Sequence, residues 1–252
     1  MEKSILNDIY ENYKNEYNHI FEYINPIYHA ERFTEENQTV NFCNALKEVF
    51  GKENIYTWFE YPWKIHGVTF GSEKNSSCRF DAVVFIKNQD NDKGNLLIIE
   101  SKCLRSDSKY IAIRNDFCRI LGCKINNDNN CDLEQFTDNK TENKKLIDIH
   151  ILEDKIDNVY AVILADYWYK PRAQKYRDIQ KRWNKNFCGE KKDLFDDFKD
   201  TITIAINSNL INELDCKPHK ISIQNNQTKK EYFLLTLIAR INNPKTIYHF
   251  IQ

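Results

Sequence analysis

The chain has 252 residues, with 36 lysines and arginines against 37 aspartates and glutamates and a sequence pI of about 6.6. That length supports one large domain with a sizeable core, and the near-zero charge excludes a protein that grips polyanions through bulk charge, so any nucleic-acid contact must come from a local patch. No apolar run approaches membrane-spanning length, and Met1-Glu2-Lys3-Ser4 opens no signal core, so we expect a soluble, cytoplasmic protein with no membrane partner.

In chain order, Ile5, Ile9, Tyr13, Tyr17, Ile20, Phe21 and Ile24 recur at helical spacing until Pro26, predicting a helical arm over residues 1–30. Its aromatic stripe suits packing on a core or pairing with a second copy. Thr34 reads as the N-cap of a helix over Glu35 to Phe50, with Val40, Cys43, Leu46, Val49 and Phe50 buried and Gly51 closing it. Ile55 to Trp63 reads as a strand ending at Pro62.

Two more strands follow, Arg79 to Ile86 and Asn95 to Cys103, separated by a polar turn. In the first, Phe80, Ala82, Val84 and Ile86 share one face and Val83 and Phe85 the other, so the strand is central and covered on both sides. Asp81 is embedded there, where a carboxylate is expensive without a cation. In the second strand Glu100 and Lys102 leave the same face, roughly 7 Å apart at their Cα atoms. Two carboxylates on neighbouring strands can hold a hard divalent cation such as Mg²⁺, and the lysine can steady developing charge on a phosphoryl group. Hydrolysis of a phosphodiester is the chemistry that fits.

Ser106 then caps a helix with the stripe Tyr110, Ile113, Phe117 and Leu121, and Arg114 falls on the same side. Residues 122–145 are rich in Asn, Asp, Lys and Thr and read as a polar insertion, a loop or flap with little to give a core. Val159 to Tyr169 is a strongly apolar strand. Pro171 opens a further helix to about Phe187, in which Lys170, Arg172, Lys175, Arg177, Lys181, Arg182 and Lys185 crowd among aromatic residues. This is the most basic patch of the chain, suited either to nucleic-acid phosphates and bases or to a solvated amphipathic helix. The tail reads as strands over Thr201 to Ile206, Lys220 to Gln224, Tyr232 to Ile241 and Thr246 to Ile251, with a hairpin loop at Asn225 to Lys230.

The eight cysteines never take Cys-x₂-Cys spacing and read as reduced core residues, and His150, His219 and His249 show no ligand spacing.

Asp81 followed by Glu100-Ser101-Lys102 resembles the D…(D/E)xK signature of the PD-(D/E)xK nuclease superfamily, the restriction-endonuclease-like fold, over about Thr34 to Tyr169. Phe80 stands where that family has a proline. The E/D-x-K spacing alone carries no information: Asp107-Ser108-Lys109, Glu142-Asn143-Lys144, Glu153-Asp154-Lys155, Glu190-Lys191-Lys192 and Asp197-Phe198-Lys199 share it in polar or helical surroundings. Only Glu100-Ser101-Lys102 ends an apolar strand that follows a strand with an embedded aspartate. Without the resemblance, Asp81 and Lys102 could form a structural ion pair.

The resemblance implies an α/β fold with a mixed sheet flanked by helices in the order αβββαβ, residues 31–190 forming the nuclease core and residues 191–252 a β-rich elaboration on the same domain. It implies Asp81 and Glu100 as ligands of Mg²⁺, with Mn²⁺ as substitute, the Ser101 carbonyl as a further ligand, and Lys102 as the catalytic lysine. The family's first core helix contributes a glutamate. Glu36, in line with Val40 and Cys43, is preferred, and Glu35, in line with Phe42 and Leu46, is the competitor. Arg114 is placed beside the site, where it can reach a phosphate oxygen or pair with a surface acid. The implied activity is endonucleolytic cleavage of double-stranded DNA by a homodimer in restriction or another anti-phage defence. A ligand-activated effector nuclease and a nucleic-acid-binding module without cleavage are the alternatives.

Overall fold

A strand with apolar residues at both odd and even positions needs cover on both of its faces, and the central strands of this chain receive it. The computed structural model describes residues 1–23, 34–66, 78–104, 107–125, 133–137, 144, 146–169, 194–224 and 229–252. Its strands are β1 (Ile55–Pro62), β2 (Lys64–Ile65), β3 (Arg79–Lys87), β4 (Gly94–Cys103), β5 (Cys123–Ile125), β6 (Leu133–Gln135), β7 (Ile147–Leu152), β8 (Ile156–Tyr169), β9 (Ile211–Gln224), β10 (Lys229–Ile241) and β11 (Tyr248–Ile251). The helices are α1 (Lys3–Tyr23), α2 (Glu35–Phe50), α3 (Asp107–Ile120) and α4 (Leu194–Asn207). The chain is thus α/β, and its main sheet runs β1-β3-β4-β8-β10-β9. The sheet is mixed, with β4 and β8 parallel and the remaining pairs antiparallel. A second sheet runs β11-β7-β2, and β5 pairs with β6.

The period of two in the strands sorts the core into two layers. Leu97 and Ile99 of β4, Tyr160, Val162 and Leu164 of β8, and Tyr232, Leu234 and Ile238 of β10 pack against α1 and α2. The intervening Leu96, Ile98, Ala161, Ile163, Leu235 and Leu237 pack against α3, α4 and the second sheet. The N-terminal helix packs into this core, the first of the two roles its aromatic stripe suits. Tyr13 and Tyr17 are fully buried, and Tyr13 meets Phe42 of α2 edge-on at 5.4 Å between ring centroids.

Four expectations change. The segment Thr201 to Ile206 lies in α4 and is not a strand. Its β-branched run suggests extended backbone, but Phe198, Ile202 and Ala205 are buried at helical spacing while Ile206 faces solvent. On α2, Val40 is 41% exposed, and the buried face is carried by Gln38, Thr39, Phe42, Cys43, Ala45 and Leu46. Phe80 does not share the layer of Ala82, Val84 and Ile86. It stacks on Trp63 at 5.7 Å in the opposite layer, where the β1–β3 register passes over Glu60, held at φ +52°. The polar insertion contributes to the core through Cys123, and β5 and β6 give its described part regular structure. None of the six described cysteines is in a disulfide, and four of them are buried, as their apolar settings suggest. The basic helix expected after Pro171 lies outside the described residues.

One glycine sets the register on which the rest depends. The β3–β4 ladder runs from Lys87↔Gly94 to Ala82↔Ile99, and a Cβ on Gly94 would stand 2.0 Å from the Ile86 carbonyl oxygen. Backbone cannot swing aside as a side-chain tip can, so Gly94→Ala should cost at least about 1–3 kcal/mol. For a chain of this size that lowers the melting temperature by about 2–4 °C per kcal/mol, readable by calorimetry. A wild-type melting temperature for Gly94→Ala would show that the hairpin end accommodates a side chain.

Candidate active site

The β3–β4 ladder stops one residue short of Asp81. The next antiparallel partners would be Asp81 and Glu100, and there a side chain replaces the backbone acceptor: the Ser101 N–H donates to Asp81 Oδ2 at 2.6 Å. The two strands therefore part with one carboxylate turned into the gap. On the other side β4 continues in register with β8 as far as Cys103↔Asp166, so Glu100, Ser101 and Lys102 remain ordered strand residues.

Alternation along β4 sends Ser101 and Cys103 towards α2 and Glu100 and Lys102 towards α3. The Ser101 and Thr39 hydroxyls are 2.7 Å apart, and Gln38 Nε2 donates to Cys103 Sγ at 3.3 Å, which fixes α2 against the strand end. That contact decides which glutamate reaches the site. Glu35 lies four residues before Thr39, on the buried face, and receives Lys102 Nζ at 3.3 Å and Lys109 Nζ at 2.7 Å. Glu36 lies four residues before exposed Val40 and is itself exposed. The structure therefore brings Glu35, not Glu36, to Lys102.

The α3 face supplies two partners. Asp116 Oδ2 lies 3.0 Å from Lys102 Nζ, and Asp116 Oδ1 lies 2.9 Å from an Arg119 guanidinium nitrogen. Arg119 also donates to Glu100, which is only 2% exposed. Lys102 Nζ further donates to the Ser101 carbonyl at 3.0 Å. Four carboxylates, Glu35, Asp81, Glu100 and Asp116, thus gather around three cations, Lys102, Lys109 and Arg119.

Burial and repulsion set the charge states. Burial pushes Glu100 up from the usual 4.5 to about 8, Asp116 adds to this, and Arg119 opposes it. Burial also raises Asp81, against the pull of the Ser101 N–H and Lys102. For Lys102 burial alone would lower the pKa, but Asp116, Glu35 and Glu100 hold it above that of a free lysine. Glu35 is lowered because Lys109 and Lys102 outweigh its burial.

Asp81, Glu100 and the Ser101 carbonyl offer oxygen alone, which suits Mg²⁺ or Mn²⁺. A cation beside Glu100 would oppose the burial and the carboxylate repulsion that raise its pKa, so the residues fit such an ion by chemistry. Arg119 holds the same carboxylate and would compete with it.

Arg114 is half-buried on α3; the side chains of that helix that meet Glu100 and Lys102 are Asp116 and Arg119. Lys170, Arg172, Lys175 and Arg182 lie outside the described residues. Sequence reasoning missed Asp116, Arg119 and Lys109. The first two stand three apart on α3, a spacing that puts an acid and a base side by side on one helix face. Lys109 belongs to Asp107-Ser108-Lys109, one of the uninformative repeats of the E/D-x-K spacing.

A second cluster was not foreseen at all: His66, Asp148 and His249 place one ligand-type atom each within 4.8 Å of one another. Among the described residues no helix is long and apolar enough to cross a membrane. No family model, curated protein or solved structure matches the chain.

Because the folded protein holds the Glu100 proton more tightly than the unfolded chain does, this group's contribution to stability is complete below about pH 4.5 and is lost as pH rises towards 8. Glu100→Gln, neutral throughout, should melt near wild type at pH 4.5 and progressively above it up to pH 8. Thermal melts of both proteins across that range check this. A gap that does not widen with pH would mean that Glu100 titrates as a free carboxyl.

Proposed function

We propose that this chain is a divalent-metal-dependent nuclease of the PD-(D/E)xK type that hydrolyses phosphodiester bonds of double-stranded DNA. The observation that carries the reading is that Asp81 and Glu100 stand opposite each other one position past the last rung of the β3–β4 ladder, with Lys102 leaving β4 on the Glu100 face. The order α2, β1, β3, β4, α3, β8 among the main-sheet strands and the helices beside them supports it further, with β2, β5, β6 and β7 as additions outside that sheet.

Asp81, Glu100 and the Ser101 carbonyl are the residues that would hold Mg²⁺. The bound ion would supply Lewis acidity towards a phosphoryl oxygen and acidity to a bound water. Lys102, kept cationic by the carboxylates around it, offsets the charge that develops on the phosphorane and orients the attacking water. Glu35 holds Lys102 and Lys109 in place through one carboxylate, acting as a positioning residue. Arg119, released from Glu100 by such an ion while still paired with Asp116, would be placed to meet a phosphate oxygen. Cleavage of both strands would come from two copies of the site in a homodimer, in the manner of type II restriction enzymes or another anti-phage nuclease.

A second reading, the ligand-activated effector, draws on a separate observation. Glu100 is buried and already occupied by Arg119, so the site as it stands is closed by its own cation. An activator that shifts α3 would release it.

Digestion of supercoiled plasmid and linear duplex with Mg²⁺, with Mn²⁺ and with EDTA tests the proposal. Wild type should cut with either metal and not with EDTA, and Lys102→Ala should lose at least about 100-fold in rate, the scale of one removed transition-state charge contact. Glu36→Ala should cut like wild type, while Glu35→Ala should lose activity in step with its loss of Lys102 placement. If folded wild type cuts with neither metal, the constitutive nuclease is wrong and the closed-site reading takes its place.

A further inference from the structure

His66, Asp148 and His249 lie in different parts of the chain, with Asp148 82 residues from His66 and 101 from His249, and no spacing rule connects them. The second sheet brings them together. Asp148 and His249 are register partners across the parallel β7–β11 ladder. His66 follows β2 directly, and its backbone N–H donates to the Leu146 carbonyl at 2.7 Å. Backbone hydrogen bonds thus place the three Cα atoms before any side chain contributes.

The side chains converge. His66 Nδ1 is 2.8 Å and His249 Nδ1 3.0 Å from the same oxygen, Asp148 Oδ1, and the imidazole rings lie 3.8 Å apart at their centroids, inclined by 32°. The convergence of two imidazoles on one carboxylate oxygen matches that oxygen's two lone pairs. It is an ordinary arrangement for ligands of one ion. In a tetrahedral site with bonds of about 2.0–2.1 Å the ligand atoms stand about 3.4 Å apart. The two measured separations fall about 0.5 Å short of that, and the His66 and His249 side chains are 51% and 45% exposed, so a small turn of each ring opens the space.

We propose that His66, Asp148 and His249 form a second metal site, selective for Zn²⁺-class ions, that ties β2 and β11 to β7. Two nitrogens and one carboxylate favour zinc, cobalt or nickel over Mg²⁺, which takes oxygen ligands. The site is therefore chemically distinct from the Asp81 and Glu100 carboxylates and does not depend on the nuclease reading. Three protein ligands leave a fourth position to water. The ion joins β11 to β2, which lies beyond the far edge of β7, so it acts as a staple on the C-terminal strand.

The test is titration of the untagged, chelator-treated full chain with Zn²⁺ alone by calorimetry, alongside His66→Ala, His249→Ala, Asp148→Asn and Asp81→Asn. Wild type and Asp81→Asn should bind one equivalent with equal affinity. Each of the other three should bind at least 10-fold more weakly while keeping the metal-free wild-type circular dichroism spectrum. Hydrogen exchange at Tyr248–Ile251 should slow on zinc addition in wild type and stay unchanged in His249→Ala. Cobalt substitution should give tetrahedral ligand-field absorption in wild type and lose it in His66→Ala. Zinc binding that survives both histidine substitutions, as it would if a thiol such as exposed Cys78 were the ligand, overturns the proposal, as does an absence of saturable binding in wild type.

Discussion

The hydrogen bond from the Ser101 N–H to Asp81 Oδ2 is the interaction on which the candidate site turns. Inside a sheet, backbone donors ordinarily find backbone acceptors, and a strand pair that keeps doing so presents no opening. Here a carboxylate takes over the acceptor's place at the last rung. The substitution ends the β3–β4 ladder, satisfies the Ser101 N–H and leaves Asp81 in the gap beside Glu100. Gly94 acts at the other end of the same hairpin, since the close approach of Ile86 holds the register that makes residues 81 and 100 opposites.

A strand end with buried acids is costly, and the chain offsets that cost from both layers. The α2 side contributes Glu35, which clamps Lys102 and Lys109, while the α3 side contributes Asp116 and Arg119. The balance is close: four acids face three bases, and the least exposed acid, Glu100, is the one whose proton is held most tightly. Removing Lys102, which faces both Glu35 and Asp116, typically costs about 3–5 kcal/mol, because those carboxylates are left without compensation. In the proposed nuclease a cation would take its place at Glu100 in exchange for a proton or for Arg119.

The two candidate sites occupy different sheets and use different donors. The carboxylate cluster sits at the end of the main sheet and offers oxygen, while the His66, Asp148 and His249 group sits on the second sheet, half-exposed, and offers nitrogen as well. Burial marks the first of them: desolvation dominates the pKa of Glu100 and Asp81.

Much of this was legible in the residues. Runs such as Leu96 to Ile99 and Ala161 to Ala165 are apolar at both parities, which only a sheet covered on two sides can accommodate, and Asp81, Glu100 and Lys102 were conspicuous because they interrupt such runs. Burial of a charge is a local anomaly, visible wherever its neighbours are apolar. The choice of Glu35 over Glu36 was not legible, because one residue on a helix turns the side chain by about 100° and the deciding contact, Thr39 with Ser101, spans two elements. The helix over Thr201 was hidden by β-branched residues whose preference tertiary packing overrode. Asp116, Arg119 and the pairing of His66 with Asp148 and His249 depend on which elements become neighbours. Sequence periodicity determines which way each residue faces along its own element, and only the packing of elements decides what it faces there, because contacts between distant segments leave no period in the chain.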